Sequence, residues 1–294
     1  MLSLFRAEWL KISGNRIPTA AFVWIFPMGA LMLLFFAAIA VLASETFRNN
    51  VIAQPPDWTQ QLMFPWVIIN TEIGRLILVC FAGEAFGGEY QRMMWKNLLP
   101  RRQRVALILN KFFTIAVFVL TAFLLMCVIV FIGVGIIAAM AGAPYPPSLS
   151  DLGSDGLSDF LRRFSIQAAV AFAAALIAAA YAALGGIFTR SILGAIVLGG
   201  LFTFAEQGIL LVLFLISSLT NTPDLLQLYT LTPGYNLANI STWSQYGSGF
   251  VPPAMQQLDF VPFSVELSTV LVLAWLFGLI GLSVWLFQRQ DVMN

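Results

Sequence analysis

The sequence has 294 residues, of which 60% are hydrophobic and only 10% are charged, whereas about 25% of residues are charged in soluble domains. Its mean hydropathy of +0.87 predicts an integral membrane protein. The formal net charge of +1 provides no broad electrostatic attraction to nucleic acid, and the absence of histidine removes the commonest general base and metal ligand.

The chain begins with a predicted amphipathic helix, residues 1–15, that lies along the cytoplasmic membrane interface. Leu2, Phe5, Trp9 and Ile12 recur at helical spacing and form one apolar stripe. A tryptophan on such a stripe is typical of the headgroup level. The alternative is that these residues simply extend the first membrane span.

Six apolar stretches follow, each long enough to cross the hydrocarbon core, which takes about 20 helical residues. They are residues 17–43, 63–86, 112–141, 164–189, 191–217 and 263–287. Pro27 and Pro65 are predicted to kink the first two spans. The fourth span is rich in alanine, which predicts close packing against other helices. The predicted fold is therefore all-α, a single transmembrane domain of residues 1–294.

The basic residues set the predicted orientation, because cytoplasmic segments retain Lys and Arg. Eleven of the fifteen fall on one side if both termini are cytoplasmic, namely Arg6, Lys11, Arg16, Arg92, Lys96, Arg101, Arg102, Arg104, Lys111, Arg190 and Arg289. The other side then carries Arg48, Arg162 and Arg163, and Arg75 lies within a span. The sequence therefore predicts a multi-pass protein with both termini in the cytoplasm.

The longest segment between spans, residues 219–262, falls on the predicted outer side and carries many large apolar residues. This composition favours short re-entrant helices that lie on or dip into the outer leaflet. An ordinary disordered loop is the alternative, and so many apolar side chains count against it.

Three ionisable residues lie deep in the predicted spans. Glu72 and Arg75 share one face of the second span, and Glu206 lies at a similar depth in the fifth. We expect these three to form one buried polar cluster. It is either a polar element beside a translocation pathway or an ion pair that fixes helix packing, because buried pairs do not by themselves indicate function.

Motifs for catalysis, for nucleotide binding and for metal binding are absent from the sequence. No lysine follows a glycine, so the chain has no P-loop for ATP. Cys80 and Cys127 both sit in apolar runs and are interpreted as packed thiols. The sequence therefore predicts no catalytic residue, no metal site and no cofactor bound by this chain.

The predicted cytoplasmic loop after the second span is unusual, because it combines basic and large apolar residues. Met93, Trp95 and Leu99 are apolar anchors of the kind that dominate protein interfaces, and Arg92 and Lys96 provide a basic rim. This pattern favours a short docking helix at residues 89–99. The alternative is an amphipathic loop on the lipid surface whose basic residues serve topology alone.

The whole layout resembles the ABC-2 type permeases, and among them the bacitracin and lantibiotic export or immunity permeases. The resemblance rests on AEWLKI at residues 7–12, on GEYQRMMWKNLLPRRQR at residues 88–104 and on Lys111. It implies that residues 89–99 are the coupling helix that docks on an ATPase. The implied docking residues are Glu89, Arg92, Met93, Trp95, Lys96, Leu98 and Leu99.

The resemblance further implies a membrane subunit of an ATP-driven exporter in a prokaryotic plasma membrane. Its partners would be two cytoplasmic ATPase subunits, which hold ATP and Mg²⁺, and a second identical or related permease. The first, second and fifth spans would line the path of an amphipathic peptide, antibiotic or lipid-like compound. An autonomous carrier or channel is the main alternative, although the sequence has no obvious inverted repeat. An intramembrane enzyme is a further alternative, although the sequence contains no catalytic constellation.

Overall fold

The structure is a computed structural model that describes residues 2–15, 19, 21–92, 95, 103–256 and 260–290. Within these ranges every regular element is helical. The α-helices are α1 Leu2–Gly14, α2 Ile25–Ala43, α3 Glu45–Ala53, α4 Trp58–Asn70, α5 Glu72–Gln91, α6 Arg104–Ala141, α7 Leu149–Thr189, α8 Ile192–Thr220, α9 Pro233–Tyr246 and α10 Val265–Arg289. Two 3-10 helices, Pro223–Leu231 and Pro253–Met255, flank α9.

The described helices provide four to six membrane crossings by length and composition. Four are long and apolar enough alone: α2, α6, α7 from Asp151, and α10. The other two crossings are bent, one made of α4 and α5 and the other being α8, which turns by 41° between Glu206 and Gly208. Counting each bent pair as one span gives the six that the sequence predicts.

The second predicted span is not one straight helix. α4 and α5 meet at an angle of 63°, with Thr71 between them. The Thr71 hydroxyl caps α5 by accepting from the Gly74 N–H at 3.1 Å, and a Cβ at Gly74 would collide with the carbonyl oxygen of Ile68. Pro65, which is predicted to kink this span, lies inside α4, and the chain breaks six residues after it.

Two helices extend well beyond the boundaries predicted for their spans. α6 begins at Arg104 rather than at 112, and α7 begins at Leu149 rather than at 164. The predicted spans began after the charged residues Lys111 and Arg163, whereas the helices continue in front of both, in α7 with a kink at Gly153. α7 has a capping box, in which Ser148 and Asp151 satisfy each other's backbone N–H groups.

The alanine-rich helix α7 forms the centre of the fold. In its most apolar window 83% of the residues are buried, against 22% in α2 and in α10. Ala171, Ala178 and Ala182 are at most 1% exposed. Small residues also line the neighbouring helices, since a Cβ at Gly199 of α8 would lie 2.8 Å from Val79 Cγ1. The prediction of close packing through small residues is confirmed.

The predicted short helices of the outer segment are present as the two 3-10 helices and α9. Leu226, Tyr229, Tyr235 and Met255 form a separate buried apolar cluster there. Asn239 of α9 is fully buried, and its side chain donates to Ser268 Oγ at 2.8 Å and accepts from the Phe250 N–H at 2.7 Å. These contacts fix α9 against α10. Its placement relative to the membrane stays a prediction.

The N-terminal helix α1 packs along the first turns of α6. The Trp9 ring stacks on Phe118 with centroids 4.1 Å apart, and Phe5 contacts Phe113 edge to face at 5.3 Å. Ile12 is 7% exposed. The predicted apolar stripe therefore serves as a contact with α6, in addition to the interfacial role predicted for it.

Candidate functional site

Four charged residues from three helices meet in a buried cluster, which we call the inner charge cluster. It consists of Glu8 and Lys11 of α1, Glu89 of α5 and Lys111 of α6. Lys111 Nζ lies 2.8 Å from Glu89 Oε1 and 3.2 Å from Glu8 Oε2. Lys11 contacts Glu89 as well, and its Nζ lies 3.7 Å from Glu8 Oε1. Two carboxyl groups and two lysine amino groups thus face one another in the cluster.

Local structure explains how these side chains converge. Glu8 and Lys11 are three apart and therefore share the face of α1 that its aromatic residues press against α6. Glu89 lies in the last turn of α5, and Lys111 lies two turns into α6. Thr19 contacts the C-terminal end of α1, where its hydroxyl donates to the Ile12 carbonyl at 2.6 Å. The cluster thus ties the N-terminal helix to the ends of two long helices.

Burial makes the cluster sensitive to the loss of any member. Glu89 and Lys111 are each 1% exposed, and removing one partner of a buried pair strands the other charge. Burial alone would raise the pKa of Glu8, but Lys111 and Lys11 outweigh it and hold that pKa below its usual value. Burial and repulsion from Lys111 lower the pKa of Lys11 to about 7.

A second polar layer borders the inner charge cluster. Glu84 of α5 accepts from Arg92 Nη2 at 2.5 Å and from Asn15 Nδ2 at 2.8 Å. Between the two layers lies a cavity of about 20 Å³, which is room for about one water molecule. Together the layers connect α1 to the start of the predicted docking segment.

The structure describes only part of that docking segment. Met93, Lys96, Leu98 and Leu99 lie outside the described residues. Glu89 belongs to the inner charge cluster, and Arg92 retains a 46% exposed side chain while pairing with Glu84. The docking function of the segment stays a prediction.

Trp95 is placed inside the protein rather than on an exposed surface. It is 2% exposed, and its ring centroid lies 4.6 Å from Phe287 of α10 and 5.8 Å from Tyr90 of α5. In this conformation Trp95 anchors the segment to the rest of the chain. The sequence pattern of a tryptophan beside basic residues is the same whether the side chain packs inward or outward. The pattern therefore could not predict that Trp95 is buried.

A second buried charge pair lies near the middle of the predicted spans. Arg75 Nη1 of α5 lies 3.0 Å from Glu206 Oε2 of α8, and the Tyr181 hydroxyl of α7 donates to Glu206 Oε1 at 2.7 Å. Sequence reasoning paired Arg75 with Glu206 but missed Tyr181. The available signal was a single tyrosine in a run of alanines. Glu72, predicted in the same cluster, is exposed at the first turn of α5 and stands outside this pair.

The start of α9 completes the surroundings of Glu206. Gly234 lies against the Glu206 carboxylate, since a Cβ built at Gly234 would lie 2.6 Å from Glu206 Oε2. The positive end of the helix dipole thus faces the carboxylate. Beside it lies a cavity of about 340 Å³, whose walls are almost entirely apolar and include Phe202, Trp275 and Leu279.

The chain matches the profile of a known protein family. The profile of a family described as "ABC-2 family transporter protein" matches residues 4–206, which is more than half of the chain. The match begins in α1 and ends at Glu206, so it contains both buried charge clusters. No curated protein matched the chain.

Proposed function

The chain belongs to the ABC-2 family of transporter proteins, and we propose that it is the membrane permease subunit of an ATP-binding cassette exporter. Such permeases are membrane components of transporters and normally work with ABC ATPase partners. In this proposal a separate pair of cytoplasmic subunits hydrolyses ATP, and this chain provides the passage.

The observation that carries the proposal, besides family membership, is the inner charge cluster. It joins α1, the end of α5 and the start of α6 directly beside residues 89–99, the proposed coupling helix. A force applied to that segment would reach three helices at once, because packed and ion-paired elements move as units. This arrangement suits a protein in which closure of an ATPase must tilt membrane spans.

The proposed substrate is an amphipathic peptide, an antibiotic or a lipid-like compound. The apolar cavity beside Glu206 supports this class, because it combines apolar walls with one carboxylate and one tyrosine hydroxyl at its edge. Pockets for small ligands have this composition. A strongly charged solute would find few partners along the apolar spans.

The proposed assembly contains two ATPase subunits and two permeases, identical or related, with both termini of each permease in the cytoplasm. Within the family, the motifs at residues 7–12 and 88–111 favour the bacitracin and lantibiotic export or immunity subtype. The residues of these motifs that form the inner charge cluster meet in space although up to 103 positions separate them, which supports their acting together.

The test is purification of the tagged chain from membranes of its own organism under mild detergent. The proposal predicts that a protein with Walker motifs copurifies and that the complex hydrolyses ATP. Purification of the chain alone, together with transport driven by an ion gradient in vesicles without ATP, would instead identify an autonomous carrier or channel.

A further inference from the structure

Two adjoining cavities open where α4, α7 and α9 meet, on the predicted outer side of the membrane. Their volumes are about 620 Å³ and 520 Å³, within the usual range of ligand sites. Arg163, Gln245 and Tyr246 line both cavities. The two spaces therefore form one groove, which we call the outer groove. The proposed export function does not use it.

The outer groove carries a net positive charge. Arg162 Nη2 lies 2.8 Å from Asp159 Oδ1, and Arg163 Nη2 lies 2.6 Å from Asp159 Oδ2. Among the described residues that line the groove, Asp159 is the one carboxylate, so two guanidinium groups share one negative charge. Each guanidinium has five N–H donors, and both side chains are well exposed, at 61% and 44%. Donors and charge thus remain for an anionic ligand.

The two ends of the outer groove lie against different predicted layers of the membrane. Arg162 and Arg163 directly precede the predicted start of the fourth span at residue 164, which places them at the level of lipid headgroups. Trp243 and Tyr246 of α9 accompany them, and such aromatic residues are typical of that level. Phe64 and Val67 line the other end. They lie in the first turns of the predicted second span, which begins at residue 63, and are 49% and 42% exposed, so they offer an apolar wall where the acyl chains begin.

We propose that the outer groove binds a phospholipid with an anionic headgroup. Its phosphate lies against Arg162 and Arg163, because arginine forms charge-assisted hydrogen bonds to phosphate that are stronger than bonds between neutral groups. One acyl chain follows Phe64 and Val67 of α4. The net positive charge favours an anionic headgroup over a zwitterionic one, and the apolar wall favours a lipid over free phosphate.

The test is native mass spectrometry of the detergent-purified protein after incubation with dioleoyl phosphatidylglycerol, dioleoyl phosphatidylcholine or inorganic phosphate. The double variant Arg162→Gln/Arg163→Gln should retain about tenfold less phosphatidylglycerol than the wild type, since each lost bond to a charged group is substantial. Arg48→Gln, which removes an arginine on the same predicted side but away from the groove, should retain it fully.

A second variant tests the apolar wall of the groove and leaves both arginines in place. Phe64→Ser removes apolar wall without changing charge, and it should also weaken retention of phosphatidylglycerol while leaving thermal unfolding nearly unchanged. Equal retention of phosphatidylglycerol by the wild type and both groove variants would overturn the proposal. So would equal binding of phosphatidylcholine, or displacement of the lipid by inorganic phosphate, which would identify a site for a free anion.

Discussion

Lys111 Nζ lies 2.8 Å from Glu89 Oε1, and each of the two residues is only 1% exposed. Breaking a buried pair by removing one partner costs about 3–5 kcal/mol, because the remaining charge is left without compensation. We therefore expect Glu89→Gln and Lys111→Met each to lower the unfolding temperature of the detergent-purified protein strongly.

The double variant Glu89→Gln/Lys111→Met is the matched control for this prediction. It leaves Glu8 and Lys11 as a neutral pair, so its destabilisation should be well below the sum of the two single effects. Thermal unfolding followed by intrinsic fluorescence measures all three variants. Additive effects would show that the pair is not energetically coupled.

The second pair, Arg75 and Glu206, separates helix packing from transport. Arg75→Met leaves Glu206 without its cation and should reduce both stability and export. Arg75→Met/Glu206→Gln removes both charges and should recover stability while export stays impaired. Glu72→Gln, on the exposed first turn of α5, should change neither. Normal export by a stably assembled double variant would show that the pair serves helix packing alone.

Trp95 and Lys96 are adjacent in the predicted coupling helix, but we expect substitutions at the two positions to have different effects. Trp95→Ala empties a buried site against Phe287 and should destabilise the protein by about 3–5 kcal/mol. Lys96→Glu should leave the unfolding temperature unchanged and weaken copurification of the ATPase. Arg6→Glu, an equivalent charge reversal on the exposed face of α1, should retain the ATPase. Equal copurification with Lys96→Glu would contradict the docking assignment.

The predicted orientation can be tested by labelling single cysteines. Cys80 and Cys127 are first replaced by alanine, and one cysteine is then introduced at an exposed site, as Ser13→Cys or Ser154→Cys. A membrane-impermeant maleimide should label the second in intact cells and the first only after permeabilisation, because the basic residues favour a cytoplasmic N-terminus. The reverse labelling pattern would invert the topology.

The sequence predicted the all-helical fold and the positions of the apolar runs, because both depend on composition within one segment. It missed the break at Thr71, since that break depends on one hydroxyl cap and one glycine beside a carbonyl oxygen. The helices α6 and α7 begin before the predicted starts of their spans, because a charged residue ends an apolar run but need not end a helix.

The candidate site was predicted only in part, because contacts between distant helices leave little trace in a single sequence. Glu8, Lys11, Glu89 and Lys111 all fall in the motifs that carry the family resemblance, yet nothing in their spacing predicts that they meet. Arg75 and Glu206 were paired through their estimated depth, and the same reasoning wrongly included Glu72. Depth alone does not tell which way a side chain points.

The decisive measurement for the permease function is ATP hydrolysis by the reconstituted complex of this chain with its copurifying ATPase, measured across amphipathic peptides and antibiotics. If the chain is the permease of this complex, one of these compounds raises the hydrolysis rate of the complex and leaves that of the isolated ATPase unchanged. Hydrolysis that is the same with and without this chain, for every compound, would contradict the permease function.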